Sequence, residues 1–208
     1  LDAAIDSSDI YVKQKEDRIA SLKDDLRRSR TDLDRYDFAE RVYLEYIAFV
    51  NDSAIAYLYK GIDLAEKMGR KDLKNKSLIN LASQLSNSGF YNEARIHFNE
   101  VPVKELEGTV LENYLSNMNN LFGEMAFYTH DPKLKAEFYA RQNALRDSML
   151  SMIDSTSLTW ISQKTIILNY TKRLDEAMHY SNQWLETCKP DSRDYATMAF
   201  FRSEIYKN

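Results

Sequence analysis

Apolar positions recur along the chain at intervals of three and four residues, in runs cut by short polar breaks. Leu78, Leu81, Ala82 and Leu85 lie on one helical face; Asn87-Ser88-Gly89 interrupts it, and Ala94, Phe98 and Val101 take it up again. Similar runs predict helices over Tyr36–Val50, from the break at Asn51-Asp52-Ser53 to Met68, over Leu73–Leu85, Asn92–Val101, Val110–Tyr128, Pro132–Ile153, Leu158–Tyr170, Asp175–Thr187 and Asp194–Tyr206. The breaks have helix-end chemistry. Gly69 suits a left-handed C-cap, Asp131 an N-cap and Pro132 a first helical turn. Asp154–Ser157 and Lys189-Pro190-Asp191-Ser192 are the later breaks. No segment alternates apolar and polar residues between hairpin turns, so the predicted class is all-α.

The first third is different. Ile5, Val12, Ile19, Leu26 and Leu33 fall seven residues apart, on one stripe of a long helix predicted over 1–34. The companion stripe, Ser8, Lys15, Leu22, Ser29 and Tyr36, is only half apolar. A stable coiled-coil dimer fills both. A helix laid against the helices that follow is therefore favoured, with a homodimer through this segment as the alternative. The run Arg27-Arg28-Ser29-Arg30 is flanked by Asp24, Asp25, Asp32 and Asp34, which marks a solvated face.

Composition narrows the picture. The 208 residues include 5 Gly and 3 Pro, few turn formers for that length, which favours long helices. A formal net charge of −4 offers no concentrated positive face for nucleic acid. One cysteine, Cys188, makes no internal disulfide. No apolar run approaches the roughly 20 residues that span a bilayer. The chain begins with Leu1 rather than Met and breaks off after a helical run, so further chain is expected at both ends, and any membrane attachment through it.

The runs also repeat. Counting Ala94 as the twentieth residue of a unit, Leu78, Leu81, Ala82, Leu85, Gly89, Phe98 and Val101 fall where the tetratricopeptide pattern places large, small, turn, aromatic and small residues. Two antiparallel helices cross closely only where small side chains let the backbones approach, and Ala82 and Ala94 supply that contact. Ala54, Ala136 and Ala177 serve as anchors of further units, so that the four anchors, with Ala94, lie 40, 42 and 41 residues apart, against a usual repeat of about 34; with one residue inserted, Phe122-Gly123 takes the large and small places of the unit of Ala136. Tyr195, Met198 and Ala199 begin a fifth. The predicted architecture is a tetratricopeptide-like solenoid of about four helical hairpins over 35–208, one continuous right-handed superhelical array with a terminal helix, behind the extra N-terminal helix. An irregular helical bundle is the alternative.

On these residues, with the opening LDAAIDSSDIYVKQKEDRIASLKDDL and the stretch FAERVYLEYIAFVNDSAIAYLYKGIDLAEKMG, the chain resembles the N-terminal region of membrane-anchored transcriptional regulators of the Bacteroidetes type. In that family a signal peptide precedes tetratricopeptide-like repeats, and a membrane helix, a coiled coil and a DNA-binding region follow. The resemblance implies a periplasmic sensor or interaction domain without the DNA-binding part.

Candidate chemistry is sparse. His97, His130 and His179 form no metal-ligand spacing, and Cys188 has no histidine near it in sequence. No phosphate loop and no distinctive acid–base pair is visible, so neither catalysis nor a cofactor or metal is expected. The informative excess is aromatic: 14 Tyr, 9 Phe and 2 Trp. The first helix of each hairpin lines the concave face of such an array. The register puts Tyr43 and Tyr46 there, with Tyr36, then Ser83 and Asn87, with Lys76 and Ser86, then Tyr128, and finally Asn169 and Tyr170, with Ser162. Rings with amide and hydroxyl groups suit a peptide, protein or glycan ligand. Against this, a tyrosine between helices commonly buries its ring and leaves its hydroxyl at the edge. The expected function is a non-catalytic ligand-sensing domain, with a general protein-interaction scaffold as the alternative.

Overall fold

The computed structural model describes residues 8–190 and 192–207; Ile5 of the N-terminal stripe and Asp191 of the last break lie outside them. The described residues form ten α-helices and one short 3-10 turn, Val103–Glu105, with no strand among them. They divide into two compact units, 1–104 and 105–208.

The N-terminal unit contains α1 (Ser8–Arg28), α2 (Asp32–Tyr46), α3 (Asn51–Lys67), α4 (Lys71–Asn87) and α5 (Tyr91–Glu100). Helix α1 stops at Arg28, short of the predicted residue 34, because Thr31 begins a new helix: its side chain accepts a hydrogen bond from the Asp34 amide at 3.0 Å. Ile19 and Leu26 of the heptad stripe are buried, whereas Val12 and Leu33 are exposed. Helix α1 lies against α2, tied by Arg18 to Glu45 at 3.3 Å and by Lys23 donating to the Tyr46 hydroxyl at 2.7 Å. Ile19 and Leu26 of the apolar stripe thus pack within the chain.

Successive helices then pack in pairs, α2 on α3, α3 on α4 and α4 on α5. Ala54, Ala82 and Ala94 are fully buried, as a close helix crossing requires, and Leu81, Leu85, Phe98 and Val101 fill the space around them. Gly61 extends the same logic, since a Cβ there would come within 3.0 Å of Ser77 Oγ. Gly69 and Gly89 end α3 and α4 with φ of +67° and +83°, a left-handed backbone that only glycine adopts without steric cost.

Helix α2 is joined to α4 by polar contacts. The buried Tyr36 hydroxyl donates to the Leu73 carbonyl at 3.1 Å and lies 3.0 Å from Ser77 Oγ, while Lys76 pairs with Glu40. Burial pushes the Tyr36 phenol up to about 12. Tyr36→Phe leaves the Ser77 hydroxyl without this partner in a dry site. It should cost about 1–2 kcal/mol, read as a lower urea midpoint with an unchanged slope.

The C-terminal unit contains α6 (Gly108–Tyr128), α7 (Pro132–Met152), α8 (Leu158–Tyr170), α9 (Leu174–Thr187) and α10 (Arg193–Lys207). Asp131 caps α7 as expected, accepting from the Leu134 amide at 2.8 Å, with Pro132 in the first turn. Ser157 caps α8 by accepting from the Trp160 amide at 3.2 Å. The third anchor is not where the spacing put it: Ala136 is exposed. In the α6–α7 hairpin Gly123, read with Phe122 at the large and small places of this unit, does make the tight crossing, but it meets Gln142 rather than Ala136: a Cβ there would collide with the Gln142 amide. These two helices have 21 residues each, so their contact can be displaced along the hairpin, and it was the spacing of alanines that misled. Ala177 of α9 is fully buried and does act as an anchor.

Two apolar clusters hold α10 in place. Ile161, Trp184 and Met198 form one; Leu168, Ala177 and Ile205 form the other. Arg202 of α10 adds a hydrogen bond to Asn182 Oδ1 at 2.6 Å.

Candidate functional site

The residues expected on an open face separate into those the packing covers and those it leaves open. In the N-terminal unit, Tyr43 and Tyr46 are buried, a correction to their expected place on an open face. Helix α2 is covered by α1, α3 and α4, so its tyrosines are core residues; burial pushes the Tyr43 phenol up to about 12. Tyr46 stacks on Tyr57 at 6.0 Å, and the Lys23 ammonium lies 5.1 Å from its ring centre. The hydrogen bond from Lys23 to the Tyr46 hydroxyl raises the Lys23 pKa. Tyr46 also floors a crevice of about 400 Å³ walled by Ile19, Ala20, Phe49 and Val50. This is the furrow between α1 and its bed, and the half-buried Lys23 that lines it donates to Tyr46. Ser83 is half-buried and Asn87 exposed on α4, while Tyr36 and Ser86 are buried and Lys76 is exposed.

The C-terminal unit places the remaining residues more usefully. Asn169 and Tyr170 end α8, and together with Lys172, Phe200, Phe201 and Glu204 they line a cavity of about 300 Å³ between that helix end and α10. Asn169 is buried at its edge, a correction to its expected exposure, whereas Tyr170 and Phe200 are 67% and 59% exposed. Phe201 is half-buried and stacks on the Trp184 ring at 6.1 Å, so the α9–α10 core fixes one wall of the groove. The Arg146 guanidinium of α7 lies 5.8 Å from the centre of the Tyr170 ring, and burial lowers its pKa. Glu204 pairs with Lys207 at 2.7 Å. Tyr128, at the end of α6, is 59% exposed and meets Phe127 edge-on at 5.0 Å; Ser162 is half-buried.

The turn after α8 has an unusual residue. The Arg173 amide bonds back to the Leu168 carbonyl at 2.9 Å, as Arg70 does to Ala65 and Phe90 to Leu85. In those two turns the left-handed residue is Gly69 or Gly89; here it is Lys172, with φ of +61°. An L-residue with a Cβ carries a cost of roughly 1–2 kcal/mol in that conformation.

Phe200, Phe201, Lys172, Glu204 and Arg146 were not singled out by sequence. Lys172 was within reach, because it stands five residues before Ala177, as Gly89 stands five before Ala94. The α10 residues required knowing which face of the terminal helix meets α8.

His97 is half-buried, and His130 and His179 are exposed. His97 Nδ1 lies 2.9 Å from Glu100 Oε1, and His179 Nε2 lies 3.2 Å from the Gln183 amide. Cys188 is half-buried, and burial pushes its thiol up. Among the described residues no group of three His, Cys, Asp or Glu is placed to hold a metal ion, and no helix is long and apolar enough to cross a membrane.

Paired helices with small residues at their crossings and glycine turns define a tetratricopeptide-repeat domain. Domains of this class are generally non-catalytic protein-interaction scaffolds. More narrowly, residues 5–208 match the family of SusR N-terminal TPR domains, and the chain belongs to that family. No curated protein matches the chain.

Proposed function

We propose that this chain is the ligand-sensing part of a membrane-anchored transcriptional regulator and that it works outside the cytoplasm, in the periplasm. A peptide, protein or glycan ligand binds in the groove between the end of α8 and α10. The observation that carries this reading is the convergence of Tyr170, Phe200 and Phe201 with the Asn169 amide on one cavity of about 300 Å³. Tyr170 and Phe200 are both largely exposed there. Binding would order the end of α8 against α10 and so bias an effector region elsewhere in the protein, to the extent that the ligand prefers one arrangement over the other. A general interaction scaffold with no sensing role uses the same groove but transmits nothing. The gene sequence flanking this chain separates the two: a membrane helix and a DNA-binding region support sensing, and their absence supports the scaffold.

The test is a thermal-shift panel of short peptides and oligosaccharides on wild type and on a Tyr170→Ala/Phe200→Ala variant. Both side chains are largely exposed, so the variant should unfold within a few degrees of wild type while losing at least tenfold in affinity for any ligand that shifts the wild type. A variant that keeps full affinity moves the site elsewhere.

A further inference from the structure

We infer that the furrow between α7 and α8 holds a second binding site, for an organic carboxylate with a hydrogen-bond donor beside it. The Nε/Nη2 edge of Arg146 grips the carboxylate, and Gln163 Oε1 takes the donor. The site is separate from the groove between α8 and α10. The two share Tyr170 and no other residue, so either can fail without the other.

The first observation compares arginines within the chain. A guanidinium presents Nε–H and an Nη2–H side by side, a fork that matches the two oxygens of a carboxylate. Arg18, Arg70, Arg141 and Arg173 each turn this edge to an acidic side chain, respectively Glu45, Asp72, Glu137 and Glu176. Arg146 does not. It gives Nη1, on the other side of the guanidinium, to Asn143 Oδ1 at 3.3 Å, and its Nε is buried without a partner among the described residues. Burial lowers its pKa, and no carboxylate among the described residues works against that; only the Tyr170 phenol does. The second observation is an acceptor on the facing helix. Gln163 Oε1 is likewise buried and unpartnered among the described residues. Trp160, Gln163 and Tyr170 share one stripe of α8. Trp160 donates its indole N–H to the Leu150 carbonyl of α7 at 3.0 Å, and the Tyr170 ring meets Arg146 of α7. That stripe therefore faces α7, with Gln163 between the two contacts. Asn143, Arg146 and Leu150 form the facing stripe of α7. An unused cationic donor and an unused acceptor thus line one furrow, and buried groups of this kind call for a ligand or a water to satisfy them.

The two orphans set the ligand's chemistry. A carboxylate satisfies the fork, and an N–H or O–H on the adjacent carbon satisfies Gln163. The C-terminal residue of a peptide and a small 2-hydroxy acid both have that combination, whereas sulfate has no proton for the Gln163 oxygen. Arg146 Nε and Gln163 Oε1 are closed to solvent, so entry requires a rotamer change of these two long side chains. The competing explanation is structural, that Arg146 only holds the Tyr170 ring.

Binding is read by NMR on the labelled chain, at the Arg146 Nε–H signal and the backbone amides of 143–150 and 163–170. The probes are N-acetylglycine, glycolate, sulfate and the neutral N-acetylglycinamide, each at millimolar concentration. N-acetylglycine or glycolate should move the Arg146 signal, and the tighter of the two names the source as a peptide C-terminus or a hydroxy acid. N-acetylglycinamide should bind about tenfold more weakly, the ratio between a charge-assisted and a neutral hydrogen bond. Arg146→Lys keeps a cation beside the ring and loses the fork, so the amide response should weaken by a similar factor. Arg146→Met should melt no lower than wild type, since a half-buried cation without a carboxylate adds little to stability. Equal binding of the carboxylates and the neutral amide overturns the inference. So does an equal response to sulfate, or carboxylate binding that survives undiminished in Arg146→Lys. An Arg146 signal that neither carboxylate moves also overturns it, and a lower melting temperature of Arg146→Met then assigns the residue to structure.

Discussion

Trp184→Ala should destabilise the C-terminal unit by about 3–5 kcal/mol, the range for removing a large buried aromatic side chain. Trp184 is 3% exposed and forms one core cluster with Ile161 of α8 and Met198 of α10, with Trp160, Tyr180 and Phe201 packed against it. It is the side chain that fastens three helices at once, so its loss opens a cavity that no single neighbour can fill. Phe201 loses its stacking partner and the groove loses a wall. Urea unfolding followed by circular dichroism measures the stability, and the effect on binding should exceed that of Tyr170→Ala alone. A loss below about 1 kcal/mol would show that the cluster is looser than its burial indicates.

Phe98→Ala should have a similar cost, about 3–5 kcal/mol, in the N-terminal unit. Ala94 and Phe98 are the fully buried residues of α5, a helix of only 10 residues that packs on α4. A helix of that length has little stability of its own in water, so its attachment depends on those two side chains. Hydrogen exchange distinguishes a local from a global effect. Amides of α5 should lose protection first and most, while those of α2 and α3 keep theirs. Uniform loss across the unit would mean that α5 belongs to the same cooperative block.

The contrast between these two units shows what the chain makes legible. The hairpin from Leu78 to Val101 could be read residue by residue, because alanine, glycine and one large aromatic stand at crossings that tolerate little else. Asp131 and Pro132 marked a helix start for equally local reasons. Ala136 was misleading because alanine is also an ordinary surface helix residue, and the glycine that makes the crossing, Gly123, meets a glutamine rather than another small residue. Tyr43 and Tyr46 showed the limit of face assignment. Register predicts which way a side chain points from its helix, but whether another helix lies over it depends on α1 and α4, whose placement is a tertiary fact. Asn169 and Tyr170 end a helix beside a turn, a place that register alone gives. Lys172 stood at a turn position the repeat marks, whereas Phe200 joined these residues only once α10 was placed.

Where a ligand binds on this chain is the central test. Backbone amide shifts should be mapped on the isotopically labelled chain with the panel member giving the largest thermal shift. The expected result is a single patch of shifts over residues 169–172 and 200–204, abolished in the Tyr170→Ala/Phe200→Ala variant. Shifts concentrated at the α1 crevice around Ile19 and Phe49, or a patch that persists unchanged in the variant, would contradict it.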